Sequence, residues 1–179
     1  MTLQAVHTPT PIPVVATERA IMREHRLSDF DPIASHWESE RTKWTGGPLS
    51  RQEAWRSFSM DCAQWQLRGY GMWIVEDRAS GKTAGWIGFY EPDHYDETEI
   101  GWILLEEFEG RGLAEECVRA ALAYGEMHFG IVAPCSFIAV ENERSVALAA
   151  RVGATLEETR DRGKGPFFVY RHKTSEALQ

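Results

Sequence analysis

The sequence predicts an α+β fold: a central mixed sheet, mostly antiparallel, with one parallel strand pair and helices on both faces. Three observations predict it. From Tyr70 to Leu105 apolar residues alternate with period two in three runs joined by turns, the pattern of an antiparallel meander. The run Thr98 to Leu105, the helical pattern Arg111 to Phe129 and the short apolar run Pro134 to Val140 follow in the order strand, crossover, strand; a right-handed crossover lays the two strands side by side and parallel. Ahead of the meander, apolar residues recur at helical spacing between Ser28 and Trp65. With 179 residues, 43% of them hydrophobic, and no linker-like change of composition, the chain reads as one domain over residues 16–174. Residues 1–15, interrupted by Pro9, Pro11 and Pro13, read as an extended or disordered lead-in, and 175–179 as a tail.

Taken in order, Ala20 to His25 form the first expected strand, and Ser28 caps a helix that carries Asp29 and Asp31 in its first turn and runs to Trp37. Turn chemistry makes Trp44-Thr45-Gly46-Gly47-Pro48 a loop. Ser50 with Glu53 is a capping box before Ala54, Trp55, Phe58, Cys62 and Trp65, an apolar helical stripe. Met72 and Ile74 face opposite to Trp73 and Val75, and Ser80-Gly81-Lys82 turns the chain into a strand ending at Tyr90. In the helix from Arg111 to Phe129, Leu113, Cys117, Val118, Ala121 and Leu122 share one side, and Gly130 closes it. A helix through Val152 follows the strand at Pro134 to Val140; Leu156 to Asp161 and Phe167 to His172, joined by Gly163-Lys164-Gly165-Pro166, complete the sheet.

Acidic residues outnumber basic ones 27 to 19, a formal charge of −8, so the chain lacks the basic footprint of a nucleic-acid or anionic-membrane binder. Residues 1–15 hold no Lys or Arg and no apolar stretch of signal-peptide type, and nowhere do eighteen apolar residues run together. The three cysteines, Cys62, Cys117 and Cys135, have no C-x-x-C spacing and read as small core residues in a reducing, cytoplasmic setting. None of the six histidines is spaced as a metal ligand to another, and no metal is expected.

Candidate chemistry concentrates where the crossover begins and ends. A glycine turn at a helix N-terminus offers unpaired backbone N–H groups and the positive end of the helix dipole, which suit a pyrophosphate. The N–H groups around Gly110, Arg111, Gly112, Leu113 and Ala114 are therefore candidate phosphate ligands, with Arg111 adding charge. Glu106, Glu107 and Glu109 upstream oppose that reading electrostatically. Asn142 stands at the N-cap of the next helix, and a hydroxyl at Ser145 could donate a hydrogen bond to a departing thiolate. Glu99 shares a strand face with Gly101 and Ile103, from which its carboxylate could take a proton from an acceptor, equally a solvated charge at a strand end. Tyr90 and His94 are further candidates nearby. Gly110-Arg111-Gly112 also hints at a dinucleotide-binding unit. Glu115 at the third glycine position, and the four residues that separate Leu105 from the turn, argue against it.

Together these elements resemble the GNAT acetyltransferase superfamily, and more narrowly its Rim-type branch, which includes ribosomal-protein N-terminal acetyltransferases. The resemblance runs from about Thr17 to Arg171 and is carried by Trp44 to Ser50, Glu99-Ile100-Gly101-Trp102, Gly110 to Glu116, Glu141-Asn142-Glu143-Arg144-Ser145 and Val152-Gly153-Ala154. It implies a sheet whose parallel pair is splayed, acetyl-CoA as donor, a primary amine as acceptor and direct transfer in a ternary complex. The family's phosphate signature, Q/R-x-x-G-x-G/A, falls on Glu109, Gly112 and Ala114; the latter two match, while Glu109 replaces the usual basic or amide residue. Where many relatives carry a tyrosine four residues after Ser145, this chain has Ala149, which leaves Ser145 as the candidate acid. The resemblance further implies that a backbone N–H near Ile103 polarises the thioester, that Ile103 and Leu105 pair with the pantetheine amides, and that Asn142 and Ser145 face the cofactor. Trp37, Trp44, Trp55 and Trp65 lie in the region that shapes the acceptor side in relatives, although core packing suits most of them. A non-catalytic acyl-CoA-binding or interaction module of the same fold is the alternative. Acceptor identity and oligomeric state stay open, a homodimer included.

Overall fold

The computed structural model describes residues 11–161, 163 and 165–173. In chain order the elements are β1 (Val15–Ala16), β2 (Ala20–Arg23), α1 (Phe30–Trp37), α2 (Arg51–Arg68), β3 (Met72–Asp77), β4 (Thr83–Tyr90), β5 (Glu99–Leu104), α3 (Leu113–Tyr124), β6 (Cys135–Ala139), α4 (Glu143–Arg151), β7 (Thr155–Asp161) and β8 (Pro166–Arg171). Among the described residues all eight strands belong to one sheet, in the order β1-β2-β3-β4-β5-β6-β8-β7. Every neighbouring pair is antiparallel except β5 with β6. This is the mixed sheet that the alternation and the crossover predict. The strand β1 adds a pair that the sequence reading does not contain, and behind it the Trp73 indole donates to the Pro13 carbonyl (2.8 Å). The lead-in to residue 10 and the tail from residue 174 lie outside the described residues.

Helix termini follow side-chain chemistry, with two corrections. At α2 the expected capping box is present: Ser50 Oγ accepts from the Glu53 N–H (3.4 Å), the Glu53 carboxylate accepts from the Ser50 N–H (2.8 Å), and Gly69 ends the helix at φ +80°. Ser28, by contrast, caps no helix among the described residues. Leu27–Asp29 forms a 3-10 turn, because the buried Asp29 carboxylate is drawn inward to the Arg23 guanidinium (2.8 and 2.9 Å), the Arg26 N–H (2.7 Å) and the Thr83 hydroxyl (2.6 Å). The crossover helix begins at Leu113 rather than Arg111, since Gly112 sits at φ +75°, and after Tyr124 it widens into a π-helical turn over Gly125–Phe129. Gly125 lies against Phe89 so closely that a Cβ would stand 2.3 Å from its ring.

The sheet register separates two faces. Tyr90, Gly88 and Trp86 of β4 pair with Glu99, Gly101 and Ile103 of β5 on one face, under α1, whose His36 and Trp37 rings meet Trp86. Phe89 and Ile87 turn to the other face with Ile100, Trp102 and Leu104, and α3 covers them. Trp37 and Trp65 are core residues, whereas Trp44 and Trp55 are exposed. A smaller cluster of Ile138, Ala149, Ala154 and Tyr170 packs on Trp102 beneath α4.

Candidate functional site

The parallel strands part almost as soon as they meet. Glu99 and Cys135 are their single registered pair, with the Cys135 N–H on the Thr98 carbonyl (3.1 Å). One residue further, Ser136 Oγ takes the place of a backbone donor on the Ile100 carbonyl (2.6 Å), and beyond that the strands diverge. The Phe137 N–H, released from ladder pairing, donates to Glu99 Oε1 (3.2 Å). The result is a cleft whose vertex is Glu99 and whose β5 edge keeps unpaired backbone groups.

Which groups face that cleft differs by one residue from the expectation. The Leu105 N–H donates to the Ala84 carbonyl (2.8 Å), and a Cβ on Gly85 would strike the Ile103 carbonyl at 2.1 Å, so Ile103 and Leu105 both turn their backbone toward β4. Backbone groups of successive strand residues point to opposite sides. Trp102 and Leu104 therefore present their N–H and C=O groups to the cleft, in line with Ile100, whose carbonyl meets Ser136 from β6.

At the head of α3 the glycine turn has the expected form. Gly110 and Gly112 adopt φ of +73° and +75°, and Arg111 between them is exposed, its guanidinium 5.5 Å from the Phe108 ring centre. The Glu116 N–H is the first to close a helical bond, on the Gly112 carbonyl (3.2 Å), and no side chain caps the turn. The N–H groups of Leu113, Ala114 and Glu115 are thus left without helical partners, the arrangement that binds an oxyanion. Arg19 grips the turn from β2's edge: it donates to the Arg111 carbonyl and pairs with Glu116 (2.6 Å). The three carboxylates upstream are each neutralised. Glu106 meets Arg41 (3.0 Å), Glu107 meets Lys82 (3.3 Å), and Glu109 is shared by Arg41 and Arg144. Sequence reasoning missed these arginines, since they come from the loop after α1 and from the first turn of α4.

The start of α4 closes the other side. Asn142 Oδ1 accepts from the Ser145 N–H (3.3 Å), the ordinary capping role. Ser145 Oγ accepts from the Trp102 indole N–H (3.3 Å), which leaves the serine proton available for a further acceptor. Ala149 is fully buried and carries no donor.

Beside Glu99 runs a chain of aromatic rings: Tyr90 to Tyr95 (5.5 Å between centres), Tyr95 to Phe137 (5.4 Å) and Phe137 to Phe167 (5.5 Å), with His94 edge-on to Tyr95. These rings, rather than the four tryptophans, neighbour the candidate acceptor side. Asp61 of α2, whose charge reaches the Tyr90 phenol, lies on the inward stripe Ala54, Phe58, Asp61 and Trp65. It is 8% exposed and makes no hydrogen bond or ion pair among the described residues. Burial pushes its carboxyl up to about 7. The apolar spacing of α2 passes over Asp61; the available signal was an acidic residue at a register otherwise filled by core side chains.

Residues 19–155 match the family model described as the acetyltransferase (GNAT) domain. An acetyltransferase from Agrobacterium tumefaciens str. C58 shares the fold at a TM-score of 0.86 and 29% identity, over 96% of this chain and 100% of that one. A RimL ribosomal L7/L12 α-N-protein acetyltransferase, in complex with coenzyme A, aligns at a TM-score of 0.74 over 90% of this chain and 98% of its own; at 17% identity the likeness is one of fold. The uncharacterized protein YkkB of Bacillus subtilis (strain 168) is 33% identical over 113 residues, 60% of this chain and 64% of YkkB, a little under two thirds of its length. With a family match across most of its length, and a splayed parallel pair beside a glycine-turned helix, the chain belongs to the GNAT acetyltransferase family.

Proposed function

We propose that the protein transfers an acetyl group from acetyl-CoA to a primary amine in a ternary complex, without a covalent enzyme intermediate. The observation that carries this reading is the grouping of three features around the splayed strands: the uncapped turn at Gly110 to Ala114, the β5 edge at Trp102 and Leu104 turned from β4, and Ser145 bonded to Trp102. The pyrophosphate rests on the N–H groups of Leu113 and Ala114 with Arg111 beside it, and pantetheine adds to the β5 edge as an extra strand would. A backbone N–H of that edge polarises the thioester carbonyl. The amine approaches over the face of Glu99 and Tyr90, and a carboxylate beside that face takes its proton; Glu99, with one oxygen held by Phe137, could do so only through a water. The nitrogen lone pair forms the C–N bond, the C–S bond breaks with its electrons on sulfur, and Ser145 donates to the thiolate. The proton that nitrogen sheds as the intermediate collapses replaces the one that Ser145 gave.

Thiol release from acetyl-CoA, measured against free-amino peptides, polyamines and amino sugars, tests the reading. Amine-dependent release is expected, and Ser145→Ala should lower kcat about 100-fold while acetyl-CoA affinity stays within about twofold. Tight acetyl-CoA binding with no release on any amine would replace this reading by a non-catalytic acyl-CoA-binding module.

A further inference from the structure

A buried carboxylate without a partner costs free energy, and a chain that keeps one on the core-facing stripe of a helix needs a reason. Asp61 comes close to such a group: the residue is 8% exposed, and its carboxylate oxygens keep only a narrow contact with solvent. One turn on, Gln64 shows what a satisfied buried side chain looks like in the same helix: its amide donates to the Phe89 carbonyl (2.8 Å) and its oxygen accepts from the Glu91 N–H (3.0 Å). Asp61 makes no such bond among the described residues, and no cation accompanies it.

Its position points to what it faces. Next to it on α2, Met60 Sδ is 3.7 Å from the Tyr90 hydroxyl, so this part of α2 stands over the end of β4. Tyr90 is registered with Glu99, and burial together with the charges of Asp61 and Glu99 pushes the Tyr90 phenol up to about 12. Cys62, on the same helix, is likewise raised to about 11 by burial and then by Asp61. Two carboxylates thus bear on one phenol. Between Glu99 and Ile103 the floor of this face is Gly101, where a Cβ would meet only Met72 Cε at 3.8 Å, which leaves space above the sheet beside the cleft vertex. A cation that entered there would find acidic groups on either hand and aromatic rings along the wall.

We propose that Asp61 is a catalytic residue of the acceptor site, which binds the acceptor's ammonium and takes the proton that the nitrogen must lose before attack. The inference rests on the acetyl-transfer reading and moves the proton acceptor from Glu99 to Asp61; Glu99, with Oε1 engaged by Phe137, holds the strand opening and adds negative charge. The step balances as ammonium plus carboxylate giving neutral amine plus carboxylic acid, and the acid returns its proton to solvent after product leaves. Transfer to Asp61 is near thermoneutral for an α-amino group, whose pKa is about 7.7–8.0, and uphill for a lysine at about 10.4. The raised carboxyl lies nearer to an α-amino group than to a lysine, so a free α-amino peptide is the first acceptor to test.

The test uses an alanine-initiated tetrapeptide with a free amino group, with a lysine side-chain amine in an amino-terminally blocked peptide as its comparison. Asp61→Asn should lower kcat/KM for the free-amino peptide by about 50-fold or more, with acetyl-CoA affinity within about twofold. The rise of kcat/KM with pH that centres near 7 in the wild type should disappear, and Asp61→Glu should restore part of the rate. A merely structural Asp61 would move only the unfolding temperature, so retention of kcat/KM and of its pH profile in Asp61→Asn overturns the proposal. Should the wild type release no thiol with the peptide, acetyl transfer to it has failed as a separate matter. The carboxyl 13C resonance of Asp61, identified by its loss in Asp61→Asn, then decides in the CoA-saturated protein: movement on addition of benzylammonium supports the proposal, and an unmoved resonance overturns it.

Discussion

Ser136 has one proton to give, and it goes to the Ile100 carbonyl at 2.6 Å. The His172 ring nitrogen 2.9 Å from the same hydroxyl must therefore be the donor, which fixes the Nε2–H tautomer and leaves Nδ1 buried without a partner among the described residues. Burial, and then the Arg171 charge, push His172 down to about 4. The native state then binds fewer protons than the unfolded chain between about pH 4 and 6.5, so stability falls as pH drops through that window, at most about 1.4 kcal/mol per pH unit. His172→Gln keeps a donor toward Ser136 and removes the titration; in urea unfolding at pH 7.5 and 5.0 it should lose roughly 1–2 kcal/mol less than the wild type. An equal loss would mean that the acid sensitivity arises elsewhere, as at His25, which burial also pushes to about 4. At this scale the glycines of the turn and the Asn142 cap were legible, because their geometry is local. The Ser136–His172 clip, 36 residues apart, was not, and neither was Asp61, whose meaning lies in the partner it lacks.

The turn that opens α3 shows how elements correct one another. Read along the chain, Glu109 stands where the family carries a basic or amide residue, and its charge should repel a pyrophosphate. In the fold it is the shared counter-ion of Arg41 and Arg144, from two other elements, so the patch beside the turn is close to neutral or positive. Glu109→Gln should therefore tighten acetyl-CoA binding about two- to fivefold at low salt, the equivalent of an exposed ion pair, and the gain should shrink in 0.5 M salt. Calorimetric titration of both proteins at the two salt concentrations checks this; weaker binding by the variant would show that the carboxylate's chief duty is to hold the arginines in place. Strand β5 carries the complementary lesson. Period-two alternation identified its faces correctly, yet Ile103 and Leu105, the expected cofactor partners, turn their backbone toward β4, and Trp102 and Leu104 turn theirs to the cleft. Hydrophobic alternation reports where side chains point, whereas the direction of the N–H groups depends on which neighbour supplies the hydrogen-bonded pairs.

At the scale of the molecule, the cleft is a consequence of topology: one parallel pair inside an otherwise antiparallel sheet, joined at a single register point. A ligand that fills it adds its binding energy to the stability of the folded state. Acetyl-CoA at 100 times its dissociation constant should contribute about 2.7 kcal/mol, a rise of roughly 5–10 °C in Tm for a domain of this size, with NADH giving none. Differential scanning fluorimetry with both ligands makes the measurement, and an NADH-specific rise would revive a dinucleotide site. The sequence alone determined the mixed sheet, the crossover between its parallel strands, the capping box of α2 and the glycine turn at the head of α3, because each follows from periodicity or from contacts within a few residues. Only the tertiary structure decided that the parallel strands part after Glu99, that Arg41 and Arg144 neutralise Glu109, that Trp102 and Leu104 turn their backbone to the cleft, and that Asp61 is buried where its charge reaches Tyr90. Those outcomes depend on hydrogen bonds, ion pairs and burial between residues far apart in the chain, and no local pattern encodes them.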